Sequence, residues 1–198
     1  MRTVTEVHPV DRRLLLTSIV TLATSRVLAQ NTPVPNNAPQ AAPSARSESQ
    51  RHIKDTMTVG SLSLMLSRIA QIKANYPRLK QFVEFEIAEQ ETVADVLKAL
   101  QTNAAPTGSI KAPTDAELMQ NLDGEGKAAV EKLRNLRAGT EFDRDYIHYE
   151  VEGHRKLLDI QEVYLKSPDN LDEINVAKLA RGMIKEHLTL LADMDKVG

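Results

Sequence analysis

The sequence predicts an all-α protein, a four-helix bundle with a crossover connection that contains a short extra helix. Three observations lead to this fold class. Apolar residues recur at helical spacing in four long segments. Ala, Leu, Glu and Lys are plentiful, whereas aromatic residues make up only 4% of the chain. The connections within each pair of helices are short and the connection between the pairs is long, as in a bundle with one crossover.

The composition limits the classes of partner. The chain has 198 residues, a formal charge of −2, and neither Cys nor Trp. Its length suits one domain with accessory segments. A near-neutral charge without a basic stripe argues against a nucleic-acid partner. The lack of Cys excludes disulfides, iron–sulfur clusters and thiolate zinc sites.

Residues 1–29 are predicted to be an export signal. Arg12-Arg13 precede a moderately apolar run that ends in Val27-Leu28-Ala29, where small residues favour cleavage near Ala29. The run is too short and too rich in Thr and Ser to span a bilayer, so we expect no membrane span in the mature chain. We therefore predict a periplasmic or secreted protein. The paired arginines leave the twin-arginine and the general secretory routes both open.

A polar segment follows the export signal. Residues 30–55 are rich in Pro, Ala, Asn and Ser and predict a disordered spacer, in which His52 is expected to be solvated. The folded bundle is predicted to comprise residues 56–198, with a first helix that opens at Val59-Gly60-Ser61. Pro77 is expected to end that helix and to start the second.

Helical spacing predicts one buried row in each long helix, and ionisable residues interrupt rows that are otherwise apolar. The rows are Leu62, Met65, Ile69, Ile72 and Tyr76 in the first helix; Leu79, Phe82, Glu86, Gln90, Val93, Leu97 and Leu100 in the second; Phe142, Tyr146, Tyr149, Gly153, Leu157, Ile160 and Tyr164 in the central helix; and Ile174, Ala177, Ala180, Ile184, His187, Leu191 and Met194 in the last. Glu150 and His154 lie at the edge of the central row.

The ends of the helices carry capping signals. Thr140, with Asp143 three residues later, is expected to cap the central helix. Asn170, with Glu173, is expected to cap the last helix. The crossover is predicted to contain a helical piece over residues 114–136, interrupted by glycines.

Two further expectations concern the central and last helices. His148 points away from the buried row and is expected to be exposed. Gly153 and Gly182 lie within helices, where glycine costs about 1 kcal/mol relative to alanine. We hypothesise that they allow neighbouring helices to approach closely.

Three segments resemble a known family. The patterns are F-x-x-F-E-x-x-E-Q-E-T in the second helix, F-D-R-x-Y-I-x-x-x-V-x-G-H-x-x-L-L in the central helix and A-K-L-A-R-x-x-I-K-E-H-L in the last. They are similar to the ferritin-like domain-of-unknown-function family of exported bacterial proteins, whose members are often labelled "predicted outer membrane protein". The resemblance implies export, a ferritin-like bundle, and inward-facing polar residues at Glu86, His154 and His187. It implies no catalytic residue.

The inward polar groups form a candidate metal site. The predicted ligands are Glu86, Glu150, His154 and His187, with Glu89 and Gln90 as secondary candidates. Two imidazoles and one or two carboxylates suit one divalent transition metal ion, Zn, Fe, Mn or Cu(II). The alternative is a buried hydrogen-bonded network that only fixes the register of the helices. In that network Glu86 accepts from a histidine, and a hydroxyl group of Tyr146 or Tyr149 joins it.

The ligand spacing disfavours a dinuclear oxidase. Such sites take Glu from two helices and Glu-x-x-His from the other two. Here the first helix has no acid between Ser61 and Tyr76, and Glu150 precedes His154 by four residues instead of three. Metal-free acid–base chemistry by a His–Glu pair is a further alternative. No nucleophile motif or phosphate-binding loop accompanies it, so we assign no catalytic or cofactor-binding residue.

The sequence therefore predicts an exported helical-bundle protein of unknown activity, and it favours a non-enzymatic role over an enzymatic one. The leading hypothesis is a metal-binding module in the cell envelope. One alternative is a structural or stress-related envelope protein in which the buried Glu and His residues are only a hydrogen-bonded network. Another is a metal-dependent oxidase.

Overall fold

The computed structural model describes residues 47–105 and 107–195, and these residues form helices and no strand. This confirms the predicted all-α class. The helices are α1 (Glu48–Lys73), α2 (Pro77–Thr102), α3 (Asp115–Asn121), α4 (Gly124–Asn135), α5 (Thr140–Tyr164) and α6 (Leu171–Asp195). None of them is both long and apolar enough to cross a membrane.

The four long helices form the bundle. Helix α1 packs against α2 and α5, α5 packs against α6, and α6 closes the ring against α2. The crossover between α2 and α5 contains two short helices, α3 and α4, which lie within the interrupted helical piece predicted over residues 114–136. Both pack mainly on α1, which is therefore covered on several sides.

Helix α1 begins earlier than predicted. Ser47 caps it, because the Ser47 hydroxyl accepts from the Gln50 backbone and the Gln50 side chain accepts from the Ser47 backbone. The Ser49 backbone N–H also donates to Asp169 in the turn between α5 and α6. Residues 48–55 thus belong to the bundle, and the prediction that they form spacer was wrong. The export signal and the rest of the predicted spacer lie outside the described residues.

The buried face of α1 was predicted only in part, since Met65 is buried as predicted but other members of the row are not. Ile72 is 85% exposed, and Leu62 and Ile69 are only half-buried. A row of mostly small or polar residues is buried instead: His52, Thr56, Gly60, Ser63, Ser67, Ala70 and Ala74. The spacing of apolar residues identifies the buried face of a helix that packs on one side only. Helix α1 contacts four other helices, so the spacing of its apolar residues did not identify this row.

The buried row of α5 is displaced from the predicted one. Glu150, His154 and Gln161 are buried, whereas Tyr149 and Gly153 are half-buried. The polar residues therefore occupy the centre of the buried face instead of its edge. His148 is exposed, as predicted.

The capping predictions had mixed outcomes. Pro77 is the first residue of α2, as predicted, and the residue before it is extended. Asn170 Oδ1 accepts from the backbone N–H of Glu173, as predicted for α6. Thr140 does not cap α5, because Gly139 occupies the cap position with φ of 146° and Thr140 is already helical.

The two mid-helix glycines do not mark close helix contacts. A Cβ atom built on Gly153 or Gly182 would have no neighbouring atom within 4 Å. The hypothesis of close approach was therefore wrong. Gly60 is the contrasting position, because a Cβ atom there would lie 2.7 Å from Gln90 Oε1.

Candidate metal centre

A layer of ionisable side chains crosses the middle of the bundle. Glu86 on α2, Glu150 and His154 on α5, and His187 on α6 are all at least 95% buried. Apolar clusters lie on both sides of this layer: one contains Leu79, Phe142 and Leu191, and the other contains Leu157, Ala180 and Ile184. Burial of ionisable groups in such surroundings is unfavourable unless they have partners.

Three of these side chains bring one atom each to a common point. Glu86 Oε2 lies 3.2 Å from His154 Nε2 and 2.8 Å from His187 Nδ1. The two nitrogens lie 3.1 Å from each other. Ligand atoms bonded to one metal ion at about 2.1 Å are about 3.0 Å apart at octahedral angles and about 3.4 Å apart at tetrahedral angles. The triangle therefore has the dimensions of one face of a metal coordination sphere.

The other nitrogen of each imidazole faces an acceptor. His154 Nδ1 lies 2.8 Å from the backbone carbonyl oxygen of Glu150. His187 Nε2 lies 3.2 Å from Glu89 Oε2. In a neutral imidazole the nitrogen that donates carries the only proton. The first contact directs the lone pair of a neutral His154 Nε2 into the triangle, and the Glu89 carboxylate favours the same orientation of His187, as the outer partners of metal-bound histidines do. His154 Nε2 and His187 Nδ1 form a hydrogen bond with each other when one of them carries a proton.

Three electron-rich atoms that face one another in a dry interior require a cation among them. Glu86 Oε2 is buried and has no hydrogen-bond partner among the described residues, although the two imidazole nitrogens lie 3.2 Å and 2.8 Å from it. Without a metal, protons supply the positive charge. Burial lowers the pKa of His187, but the Glu86 and Glu89 carboxylates outweigh that effect and raise it to about 10. Burial also lowers the pKa of His154, but the Glu86 carboxylate outweighs that effect and raises it.

Ser63 on α1 joins the two buried carboxyl groups. Its Oγ atom lies 2.5 Å from Glu86 Oε1 and 2.5 Å from Glu150 Oε2. A hydroxyl group has one proton to donate, so one of the two carboxyl groups must carry a proton of its own. Burial and the charge of Glu86 raise the pKa of Glu150 to about 8. Although burial opposes ionisation of Glu86, the positive charge of His154 lowers the pKa of Glu86. Glu150 is therefore the protonated partner at neutral pH.

The predicted site residues thus have different positions. The triangle consists of Glu86, His154 and His187. Among the described residues, these three side chains form a group that could hold a metal ion. Glu150 lies beside the triangle, with its Oε2 atom 3.5 Å from His154 Nδ1. Glu89 contacts the outer nitrogen of His187.

Gln90 is not a member of the triangle. It lines the cavity next to His154 and His187.

The tyrosines do not take part as expected for the alternative network. The Tyr146 hydroxyl pairs with Ser67 Oγ at 2.7 Å, not with Glu86. Tyr149 is half-buried, and the ammonium group of Lys132 lies 5.6 Å from the centre of its ring. Ser63 supplies the hydroxyl group that joins the buried carboxyl groups, in place of the predicted tyrosine. Its position four residues before Ser67, on the row of small residues in α1, is the signal that could have identified it.

A second polar cluster lies nearer the start of α1. His52 Nδ1 contacts Glu173 Oε1, and His52 Nε2 lies 2.6 Å from Gln161 Oε1. Gln161 Nε2 donates to Thr56 Oγ1 at 3.1 Å. The His52 ring stacks on Tyr164 with centroids 4.4 Å apart. The expectation that His52 is solvated was wrong, because the helix continues far enough towards its N-terminus to bring His52 against α5 and α6.

Comparison with known proteins gives a fold and a family. The crystal structure of a DUF305 fragment from Deinococcus radiodurans matches with a TM-score of 0.61 and 10% sequence identity, over 79% of this chain and 100% of that one. At this identity the match shows a shared fold alone. No curated protein matches the sequence. The model of the family described as "Domain of unknown function (DUF4142)" matches residues 34–194. The chain therefore belongs to the DUF4142 family.

Proposed function

We propose that this protein is an exported metal-binding module of the cell envelope that binds one divalent transition metal ion through Glu86, His154 and His187. One observation carries the proposal: three lone-pair-bearing atoms converge within 3.2 Å of one another. The predicted export signal and the ferritin-like resemblance of the helices support the cellular location and the type of bundle. Two imidazoles and one carboxylate suit Zn or Fe(II) by ligand type.

The residues around the triangle fit this role. The Glu150 carbonyl and the Glu89 carboxylate hold the imidazoles in the orientation that metal binding requires. Ser63 holds Glu86 Oε1 at 2.5 Å, which leaves Glu86 Oε2 for the metal ion. The ligands come from three helices, so bound metal would join α2, α5 and α6 and stabilise the folded state.

The rival function is a structural envelope protein whose polar layer only fixes the register of the helices. The contacts of Ser63 with both carboxyl groups favour it, since they satisfy buried atoms without any metal. The dinuclear oxidase has less support, because the described residues supply a single three-residue group. Metal titration of the protein distinguishes the two leading functions.

The test is metal binding by the full-length chain after removal of metal with a chelator. We expect one equivalent of Zn²⁺ or Co²⁺ by elemental analysis. At about a hundredfold excess of free metal over Kd, binding stabilises the fold by about 2.7 kcal/mol. The melting temperature then rises by roughly 5–10 °C.

Matched variants assign the binding to the triangle. His154→Ala and Glu86→Gln should lose the bound metal and the rise in melting temperature. His148→Ala and Glu84→Gln, which change exposed residues of the same two helices, should keep both. Equal melting of the wild type with and without each metal, together with no stoichiometric metal, would refute the proposal in favour of the structural role.

A further inference from the structure

A small cavity lies beside the triangle, where side chains of the four long helices meet. Its volume is about 20 Å³, and both histidines of the triangle line it. Glu89 on α2 and Met183 on α6 also line it, and both are half-buried, so the cavity reaches solvent between these two helices. The triangle therefore has a way to the surface that passes a carboxylate.

The His187 ring stands between that surface and the other two residues of the triangle. Its side chain is 6% exposed, whereas those of His154 and Glu86 are 1% and 0% exposed. His187 Nε2 lies 3.2 Å from Glu89 Oε2, and His187 Nδ1 lies 2.8 Å from Glu86 Oε2. The ring thus connects a carboxylate that is 34% exposed with one that is fully buried. A cation that arrives from solvent on this side meets Glu89 first and His187 next.

The cavity suits a metal ion that has lost most of its bound water. Its volume is little more than the roughly 10–15 Å³ that one water molecule needs, and a fully hydrated divalent ion is much larger. The ion must therefore exchange water for protein ligands at the mouth of the cavity, and a carboxylate oxygen is a ligand of the required type. Leu157, Ala180 and Ile184 make much of the wall apolar. A negative charge beside such walls raises the local concentration of cations.

We propose that the metal ion enters between α2 and α6, and that Glu89 binds it first, before His187 and the two buried ligands. This inference rests on the proposed metal site. It gives Glu89 a second role beside the orientation of His187, because the carboxylate then sets the rate at which metal binds.

The two roles of Glu89 depend on different properties of its side chain. Glu89→Gln removes the charge but keeps an oxygen that can accept a hydrogen bond from His187 Nε2. Glu89→Asp keeps the charge but is shorter by one methylene group, which weakens the contact with His187. Metal entry requires the charge, whereas orientation of His187 requires the contact. The two variants therefore distinguish the roles.

The measurement is the rate at which Co²⁺ binds to the full-length chain after removal of metal, followed by stopped-flow recording of the visible spectrum of the bound ion. Glu89→Gln should slow association roughly tenfold or more, since it removes the charge that attracts the ion. Glu89→Asp should keep most of the wild-type rate. The wild-type rate should fall as ionic strength rises, and the rate of Glu89→Gln should fall less.

The control is Glu84→Gln, which removes an exposed carboxylate of the same helix that does not line the cavity and should leave the rate unchanged. A wild-type rate in Glu89→Gln would overturn the proposal. Equal slowing in Glu89→Gln and Glu89→Asp would also overturn it, since the contact with His187 and not the charge would then set the rate. Equal slowing in Glu84→Gln would do so too, because the overall charge of the protein would explain it. Failure of the wild type to bind Co²⁺ at all would instead refute the metal site itself, and this inference with it.

Discussion

The Nε2 atom of His154 lies 3.1 Å from the Nδ1 atom of His187, and both nitrogens face one carboxylate oxygen of Glu86. Each imidazole has its other nitrogen against an acceptor. The two rings therefore approach each other through the atoms that carry lone pairs when the rings are neutral. Protons or a metal ion can relieve the repulsion between these atoms.

Metal binding is predicted to release protons. Without metal, the His187 imidazole is charged at neutral pH, because the Glu86 and Glu89 carboxylates outweigh the effect of burial and raise its pKa to about 10. Metal-bound imidazoles must be free of the proton at the ligating nitrogen, so about one proton or more should leave per metal ion at pH 7. An indicator dye in weakly buffered solution measures them. Affinity should rise with pH, and binding without proton release would contradict the prediction.

The metal-free protein is predicted to lose stability as the pH rises from 6.5 to 8. Over this range the folded state keeps protons on Glu150, with pKa about 8, and on His187, with pKa about 10. Unfolded Glu and His have pKa values of 4.5 and 6.5, so the unfolded state binds fewer protons. The free energy of unfolding therefore falls with pH, by up to about 1.4 kcal/mol per pH unit for each retained proton.

Urea unfolding at several pH values checks this dependence. Glu150→Gln keeps the shape of the side chain and removes its titration, so the slope against pH should become smaller. A stability that rises with pH over the same range in the metal-free protein would show that these groups do not retain their protons.

His52→Ala is predicted to destabilise the bundle by about 3–5 kcal/mol, because it leaves the Glu173 carboxylate buried without its partner. Urea unfolding measures the loss, and His148→Ala, at an exposed position, should change stability by less than about 0.5 kcal/mol. A double-mutant cycle with Glu173→Ala should give a coupling energy of about 0.5–3 kcal/mol. If His52→Ala matched His148→Ala, the pair would not hold the start of α1 to α5 and α6.

Gly153→Ala and Gly182→Ala are predicted to stabilise the protein by about 0.5–1 kcal/mol each, since alanine is the better helix former and both positions have room for a Cβ atom. Thermal melting measures the effect. Gly139→Ala should do the opposite and cost about 1–3 kcal/mol, because φ at this residue is 146°. A lower melting temperature for both helical variants would show a packing role that the empty space around them does not predict.

Much of the fold could be predicted because local signals mark it. Pro77 fixes the boundary between α1 and α2, and Asn170 marks the start of α6. The inward positions of Glu86, His154 and His187 also follow from helical spacing, since each lies in or beside an apolar row. Helix α1 was predicted poorly because Ser63 and Ser67 on its buried face are polar, and polarity normally indicates exposure.

The site could be predicted only as a set of residues. Spacing placed Glu150 with the other candidates, since it is one turn from His154, but the structure turns its carboxyl group to Ser63. The second cluster was missed altogether, because His52 and Glu173 are 121 residues apart and no periodicity connects them.

The sequence by itself determined the helices, most of their ends and the presence of ionisable groups on their inner faces, because these depend on spacing within about four residues along one chain segment. The tertiary structure decided which atoms meet: Glu86 with two histidines, Glu150 with Ser63, and His52 with Glu173. Those contacts depend on how each helix is rotated and shifted against its neighbours. The packing of side chains from several helices sets that arrangement, and no single segment of the sequence contains it.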